Sequence, residues 1–169
     1  VGGKYSGALA VLTGIVSNEF LYNEVRAKGG AYGVGVNSNW REQIASWSYR
    51  DPNLANTLAV YEKMGDYIAS LELSEEDLTR FVIGAVGGFD QPLTEKSKGL
   101  VDLNFYLTGR TPEDIEALIE SALDTTVEDL KAYAPIFQAA MDQKYVAVLG
   151  SEKAIRENEE LFDEVISLI

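Results

Sequence analysis

The sequence predicts an α+β domain, a small and mainly antiparallel sheet packed by several helices. Apolar residues at Tyr5, Leu9, Leu12, Val16, Phe20 and Leu21 recur at helical spacing. Tyr32, Val34 and Val36 alternate with Ala31, Gly33 and Gly35, which is the period of a strand. Residues 145–149 form a short, wholly apolar run of the kind that makes a strand buried on both faces. Together with a hairpin through 31–50, this gives three strands against about seven helices.

In chain order, a first helix is expected from residue 5 to 28. Gly29-Gly30 stop it, because glycine readily takes the left-handed cap conformation. The first strand turns at Asn37-Ser38-Asn39 and returns over residues 44–49, with Ala45, Trp47 and Tyr49 on one face. Asp51-Pro52 reads as a helix start, a side-chain acceptor followed by a residue with no N–H to satisfy. Leu54, Leu58, Tyr61, Met64, Ile68 and Leu71 then share one stripe. Ser74-Glu75-Glu76-Asp77 has the pattern of a capping box. It opens a helix with Leu78, Phe81, Val82, Ala85 and Val86 on its apolar face, ended by Gly87-Gly88 and Pro92. Helices follow over 94–107, from Thr111-Pro112-Glu113-Asp114 to Leu123, and from Thr126 with Leu130, Tyr133 and Phe137 inward. The strand at 145–149 leads through Gly150-Ser151 into a last helix ending at Leu168. Three strands are few for this much amphipathic helix, and the chain opens almost directly on one. Strands preceding Val1 are therefore expected, with residues 1–169 a single or partial domain of a larger polypeptide.

Composition narrows the chemistry. The 169 residues include 14 Lys and Arg against 27 Asp and Glu, a net charge of −13. That disfavours nucleic acid, whose affinity comes largely from basic side chains on phosphates. The absence of Cys excludes disulfide scaffolds and thiolate metal sites. The absence of His removes Ser-His-Asp and Cys-His arrangements and every His-bound metal. The longest apolar run, residues 8–16, is too short for the roughly 20 residues that span a bilayer. A Cys-free chain fits a reducing bacterial cytoplasm, and an organelle matrix is equally allowed. Charge is also uneven. Residues 1–50 hold Lys4, Arg26, Lys28, Arg41 and Arg50 against Glu19, Glu24 and Glu42, a net of +2, which leaves −15 for the rest. This acidic remainder is either a solvated helical surface or a wall that attracts a basic peptide.

Few residues are left to carry chemistry. No spacing among the acids matches a calcium loop, and nothing selects one carboxylate pair for glycoside hydrolysis. Gly29-Gly30-Ala31-Tyr32-Gly33-Val34-Gly35 has the look of a phosphate loop in the wrong order: its glycines follow a helix and precede a strand, so the helix presents its negative end. Arg26 and Tyr32 remain, one in the last turn of a helix and the other at a strand start, separated by two glycines. Arg26 can hold a peptide carbonyl or carboxylate with fixed donors. The Tyr32 hydroxyl can donate to an oxygen that gains charge in a transition state. On chemistry alone the bland alternative stands beside this one: Arg26 satisfying free helix carbonyls, Tyr32 packing in a strand.

The segment Leu21-Tyr22-Asn23-Glu24-Val25-Arg26-Ala27-Lys28-Gly29-Gly30-Ala31-Tyr32-Gly33 resembles one near the C-terminus of insulinase/pitrilysin-type zinc metallopeptidases. With Ser48-Tyr49-Arg50-Asp51-Pro52-Asn53, the pattern is most similar to the presequence protease branch. The resemblance covers essentially the whole chain.

It implies an enzyme of homologous α+β domains in two halves that close on a peptide. The N-terminal half of such an enzyme holds zinc through an inverted H-x-x-E-H motif whose Glu is the general base. The C-terminal half supplies an Arg and a Tyr that reach the active site on closure. By position these are Arg26 and Tyr32, with Arg26 anchoring the substrate backbone and Tyr32 stabilising the tetrahedral intermediate over the zinc-bound carbonyl. This chain, without His, would bind no zinc and would be inactive alone. Its implied partners are the N-terminal zinc-binding half of the same polypeptide and unstructured peptide substrates, with no role for nucleic acid or membrane. Tyr49-Arg50-Asp51-Pro52 reads mainly as a strand end and helix cap, with Arg50 as a lesser candidate for a second substrate contact. The competing reading is a non-catalytic structural or substrate-presenting subunit of the same fold.

Overall fold

The computed structural model describes residues 5–167. Helix α1 (Gly7–Ile15) starts at Ser6, whose hydroxyl accepts the Leu9 N–H at 3.1 Å and meets the Tyr133 hydroxyl at 2.7 Å. The chain then continues without a break into a π-helical segment, Val16–Lys28. The expected single helix over 5–28 is thus one rod with two windings. It forms the spine of the core, with Leu12, Ile15, Val16, Leu21 and Val25 fully buried.

Strands β1 (Gly33–Ser38) and β2 (Ile44–Tyr49) form an antiparallel hairpin, paired from Gly33↔Tyr49 to Ser38↔Ile44. At its turn the Asn39 side chain accepts the Arg41 N–H at 2.8 Å. Trp40 lies in that turn rather than in a strand, its ring 5.2 Å from that of Tyr5. The Trp47 ring lies across Gly33 and Gly35, where a Cβ would come to 3.3 and 3.0 Å from it. The glycines of β1 thus make room for an indole.

Helices α2 (Leu54–Tyr61) and α3 (Met64–Ala69) divide the stripe expected as one helix. Its lower members, Tyr61, Met64, Ile68 and Leu71, are still buried. Helix α4 (Glu75–Phe89) is capped by Ser74 as expected, with the Asp77 N–H donating to the Ser74 hydroxyl at 3.1 Å. Helices α5 (Glu95–Thr108), α6 (Pro112–Leu123), α7 (Val127–Lys131) and α8 (Ala134–Met141) follow, and α9 (Glu152–Arg156) precedes a 3₁₀ turn, Glu159–Leu161. Thr111 and Thr126 open α6 and α7 with reciprocal capping boxes. α1 packs on α4 and α6 on one side, while β1, α2 and α3 pack on the π-helical segment and α8 on α3. Contact between α1 and α6 is close enough that a Cβ at Gly7 would collide with the backbone of Leu118 and Ala122.

Other expectations are also settled by the structure. Residues 145–149 are not a strand: they are unpaired, with Tyr145 91% and Leu149 85% exposed, and the sheet among the described residues has two strands. An apolar run needs a partner edge to become a strand, and β1 meets the Ser17 hydroxyl instead, which accepts the Val36 N–H at 3.0 Å. α4 ends at Phe89, one residue past Gly87-Gly88 and before Pro92, as expected. Asp51-Pro52 is not the helix start. Asp51 Oδ1 accepts the Asn53 N–H at 2.9 Å, an Asx turn that delays α2 to Leu54. The last helix is short, and its expected end at Leu168 lies outside the described residues.

Candidate functional site

The helix-to-strand turn at residues 26–32 is fixed by backbone bonds. Gly30 N–H donates to the Arg26 carbonyl at 2.9 Å and Ala31 N–H to the Val25 carbonyl at 3.1 Å. Gly30 has φ +81°, a conformation that costs other residues a clash between Cβ and carbonyl. A Cβ at Gly29 would stand 2.5 Å from the Val25 carbonyl oxygen. A third anchor comes from the second motif: the Asn53 side-chain amide donates to the Gly29 carbonyl at 2.6 Å. The two segments singled out in the sequence are therefore one structure.

From this turn Arg26 and Tyr32 both reach solvent, with Tyr32 65% exposed. Their contacts differ. The Arg26 guanidinium lies over the Tyr22 ring at 5.0 Å. Tyr32 meets Tyr49 edge-on, with ring centroids 6.0 Å apart at 81°, and its ring is 5.8 Å from the Arg50 guanidinium, which is also 5.3 Å from that of Tyr49. Tyr22, Tyr49 and Asn53 were given no site role by sequence reasoning. The signals were present in outline, since Tyr22 stands one turn before Arg26 and Tyr49 faces Gly33 once the hairpin register is known.

Neither arginine is neutralised locally. Lys28 takes Glu24 at 2.6 Å, and among the described residues neither Arg26 nor Arg50 is ion-paired. Burial pushes the Tyr61 hydroxyl up to about 12, Asp51 adds to that rise, and the Ser48 side chain opposes it. The Thr57 hydroxyl and one Asp51 oxygen are buried with no hydrogen-bond partner among the described residues.

The arrangement offers unpaired guanidinium donors and a phenol on a rigid turn, but no enclosing wall. Two grooves elsewhere, one between Ser17, Val36 and Phe81 and one between Ser6, Ser121 and Tyr133, include neither Arg26 nor Tyr32. The described residues contain no group of three or more acidic side chains placed to hold a metal ion. No helix among them is long and apolar enough to cross a membrane.

Comparison with known proteins agrees with the motif pattern. Residues 1–152 match the family model described as the PreP C-terminal domain. The chain is 39% identical to Protein HypA of Clostridium perfringens over 99% of its own length and 17% of that protein's. It is 34% identical to the chloroplastic/mitochondrial Presequence protease 1 of Arabidopsis thaliana, over 91% of this chain and 14% of the relative. The mitochondrial presequence protease of Emericella nidulans is 33% identical over the same shares. The chain thus spans about a sixth of the length of the curated relatives it matches. With a match over nine-tenths of its length, the chain belongs to the PreP C-terminal domain family.

Proposed function

We propose that this chain is the C-terminal domain of a peptide-degrading metalloprotease and completes its reaction site. The observation that carries this reading is one rigid turn presenting an unpaired Arg26 and an exposed Tyr32 to an open surface, in a chain of this family. An open surface with directed donors and no second wall suits a half-site that another domain closes.

In this reading Arg26 holds a backbone carbonyl of an extended peptide through parallel N–H donors. Tyr32 donates its O–H to the scissile oxygen as negative charge builds there, which favours the transition state over the bound substrate. The residues of this chain do not fit a zinc site, having neither His nor Cys and no acidic cluster among the described residues. In this reading the zinc that the resemblance implies is held by the N-terminal half of the same polypeptide. The acidic helices that follow residue 50 suit capture of basic, unstructured peptides.

A zinc-dependent cleavage assay on an unstructured basic peptide tests this. The chain alone, the remainder of the full polypeptide, and the two mixed are compared. Activity only in the mixture supports the proposal. A full-length protein that is itself inert would favour a structural or substrate-presenting subunit.

A further inference from the structure

We propose that Arg50 is a positioning residue for Tyr32, an inference that rests on the role given to Tyr32 above. The hairpin register ends at Gly33↔Tyr49, and the Tyr32 N–H still donates to the Tyr49 carbonyl at 3.0 Å. Tyr32 and Gly33 thus both lie against Tyr49 at the end of the ladder, with Arg50 the next residue along the chain.

The backbone of Arg50 turns to φ +49°, a left-handed conformation that non-glycine residues adopt at a cost. Among the described residues two other non-glycine positions share it: Glu42 in the hairpin turn, and Lys144 just after α8. Of the three, Arg50 is the one whose side chain lies against the candidate residue. Its guanidinium spans the rings of Tyr32 and Tyr49, and these two rings meet edge to face. The Tyr32 ring is thus braced by a cation and by a neighbouring ring.

The adjacent carboxylate does not compete for Arg50. Asp51 spends one oxygen on the Asn53 N–H and buries the other. A planar guanidinium can lie on a ring and leave its edge donors free. Arg50 therefore holds the phenol in place and adds fixed positive charge beside it.

The test is steady-state cleavage of a basic peptide by the full-length peptidase carrying Arg50→Gly, Arg50→Lys, Tyr32→Phe, or Arg50→Gly with Tyr32→Phe. Glycine suits φ +49°, so Arg50→Gly is expected to melt no lower than wild type. It should nonetheless lower kcat by about 3–10-fold with KM nearly unchanged. Lysine should recover part of the loss. In the double variant kcat should fall no further than in Tyr32→Phe alone, because the two residues act as a unit. Wild-type kcat in Arg50→Gly, or losses that multiply independently, would overturn this inference while leaving the role of Tyr32 standing. Wild-type kcat in Tyr32→Phe would overturn both.

Discussion

The Asn53 amide donates to the Gly29 carbonyl at 2.6 Å, joining two segments separated by 24 positions in sequence. That bond ties the turn carrying Arg26 and Tyr32 to the residue that precedes α2. Asn53→Ala leaves the carbonyl of a buried glycine without this partner, at a cost of about 1–2 kcal/mol. For a domain of this size the melting temperature should fall by about 2–8 °C. Asn53→Asp sets an acceptor against an acceptor and should cost at least as much. A thermal melt of each variant decides, and unchanged melting would mean that the turn holds itself.

Tyr32→Phe and Arg26→Ala should separate in kinetics. Loss of one transition-state donor typically lowers kcat by about 10²–10³-fold. Tyr32→Phe is therefore expected to reduce kcat with little change in KM, and Arg26→Ala to damage both. Steady-state rates of the full-length enzyme give the answer. A wild-type kcat in Tyr32→Phe would return that residue to a packing role.

Tyr61 predicts a particular alkaline behaviour. Its hydroxyl titrates near 10 when unfolded and is pushed up to about 12 in the fold by burial first. Below pH 10 both states carry the proton, so the term is fully favourable there. Between 10 and about 12 the unfolded chain has lost a proton that the folded chain keeps, so stability falls as pH rises. Tyr61→Phe removes this loss and should move the alkaline unfolding midpoint upward. Near neutral pH the hydroxyl is protonated in both states, so this term gives no difference there. Burial also raises Tyr5 and Tyr67, so part of the alkaline transition will persist. Equal midpoints for wild type and variant would show that Tyr61 ionises freely in the fold.

Salt should weaken capture of basic peptides. The net charge of −15 outside residues 1–50 acts over distances comparable with the Debye length, about 10 Å at 0.1 M salt and about 3 Å at 1 M. KM for a basic peptide should rise with added salt, and KM for a neutral peptide should hold. Parallel titrations of the two substrates check this, and equal responses would remove the acidic helices from substrate selection.

The sequence made the local signals readable because their physics is local. Ser74, Thr94 and Thr126 cap α4, α5 and α7 because a hydroxyl at the N-cap meets an N–H within its own turn. Gly29-Gly30 ends the long helix for the same kind of reason. Asp51 deceived because one carboxylate can cap a helix or form an Asx turn, and only the path of the following chain selects between them. The run 145–149 deceived because burial is a property of neighbours rather than of apolar residues. At the site, Arg26 and Tyr32 stood out through their motif, whereas Arg50 against Tyr32 depends on hairpin register and on one positive φ. Neither follows from residue type.

The second half of α4 leaves a reserve of stability unclaimed. At Gly84, Gly87 and Gly88 a methyl group would meet nothing within 4 Å, so alanine fits each position without disturbing a neighbour. Each exchange is worth up to about 0.5–1 kcal/mol in an exposed helix interior. The three together could stiffen one surface of α4 in graded steps, leaving Phe81, Val82 and the spine beneath untouched. This helix is thus a dial on domain rigidity, set well short of its stop, by which the demand for flexibility during turnover could be measured separately from the chemistry of Arg26 and Tyr32.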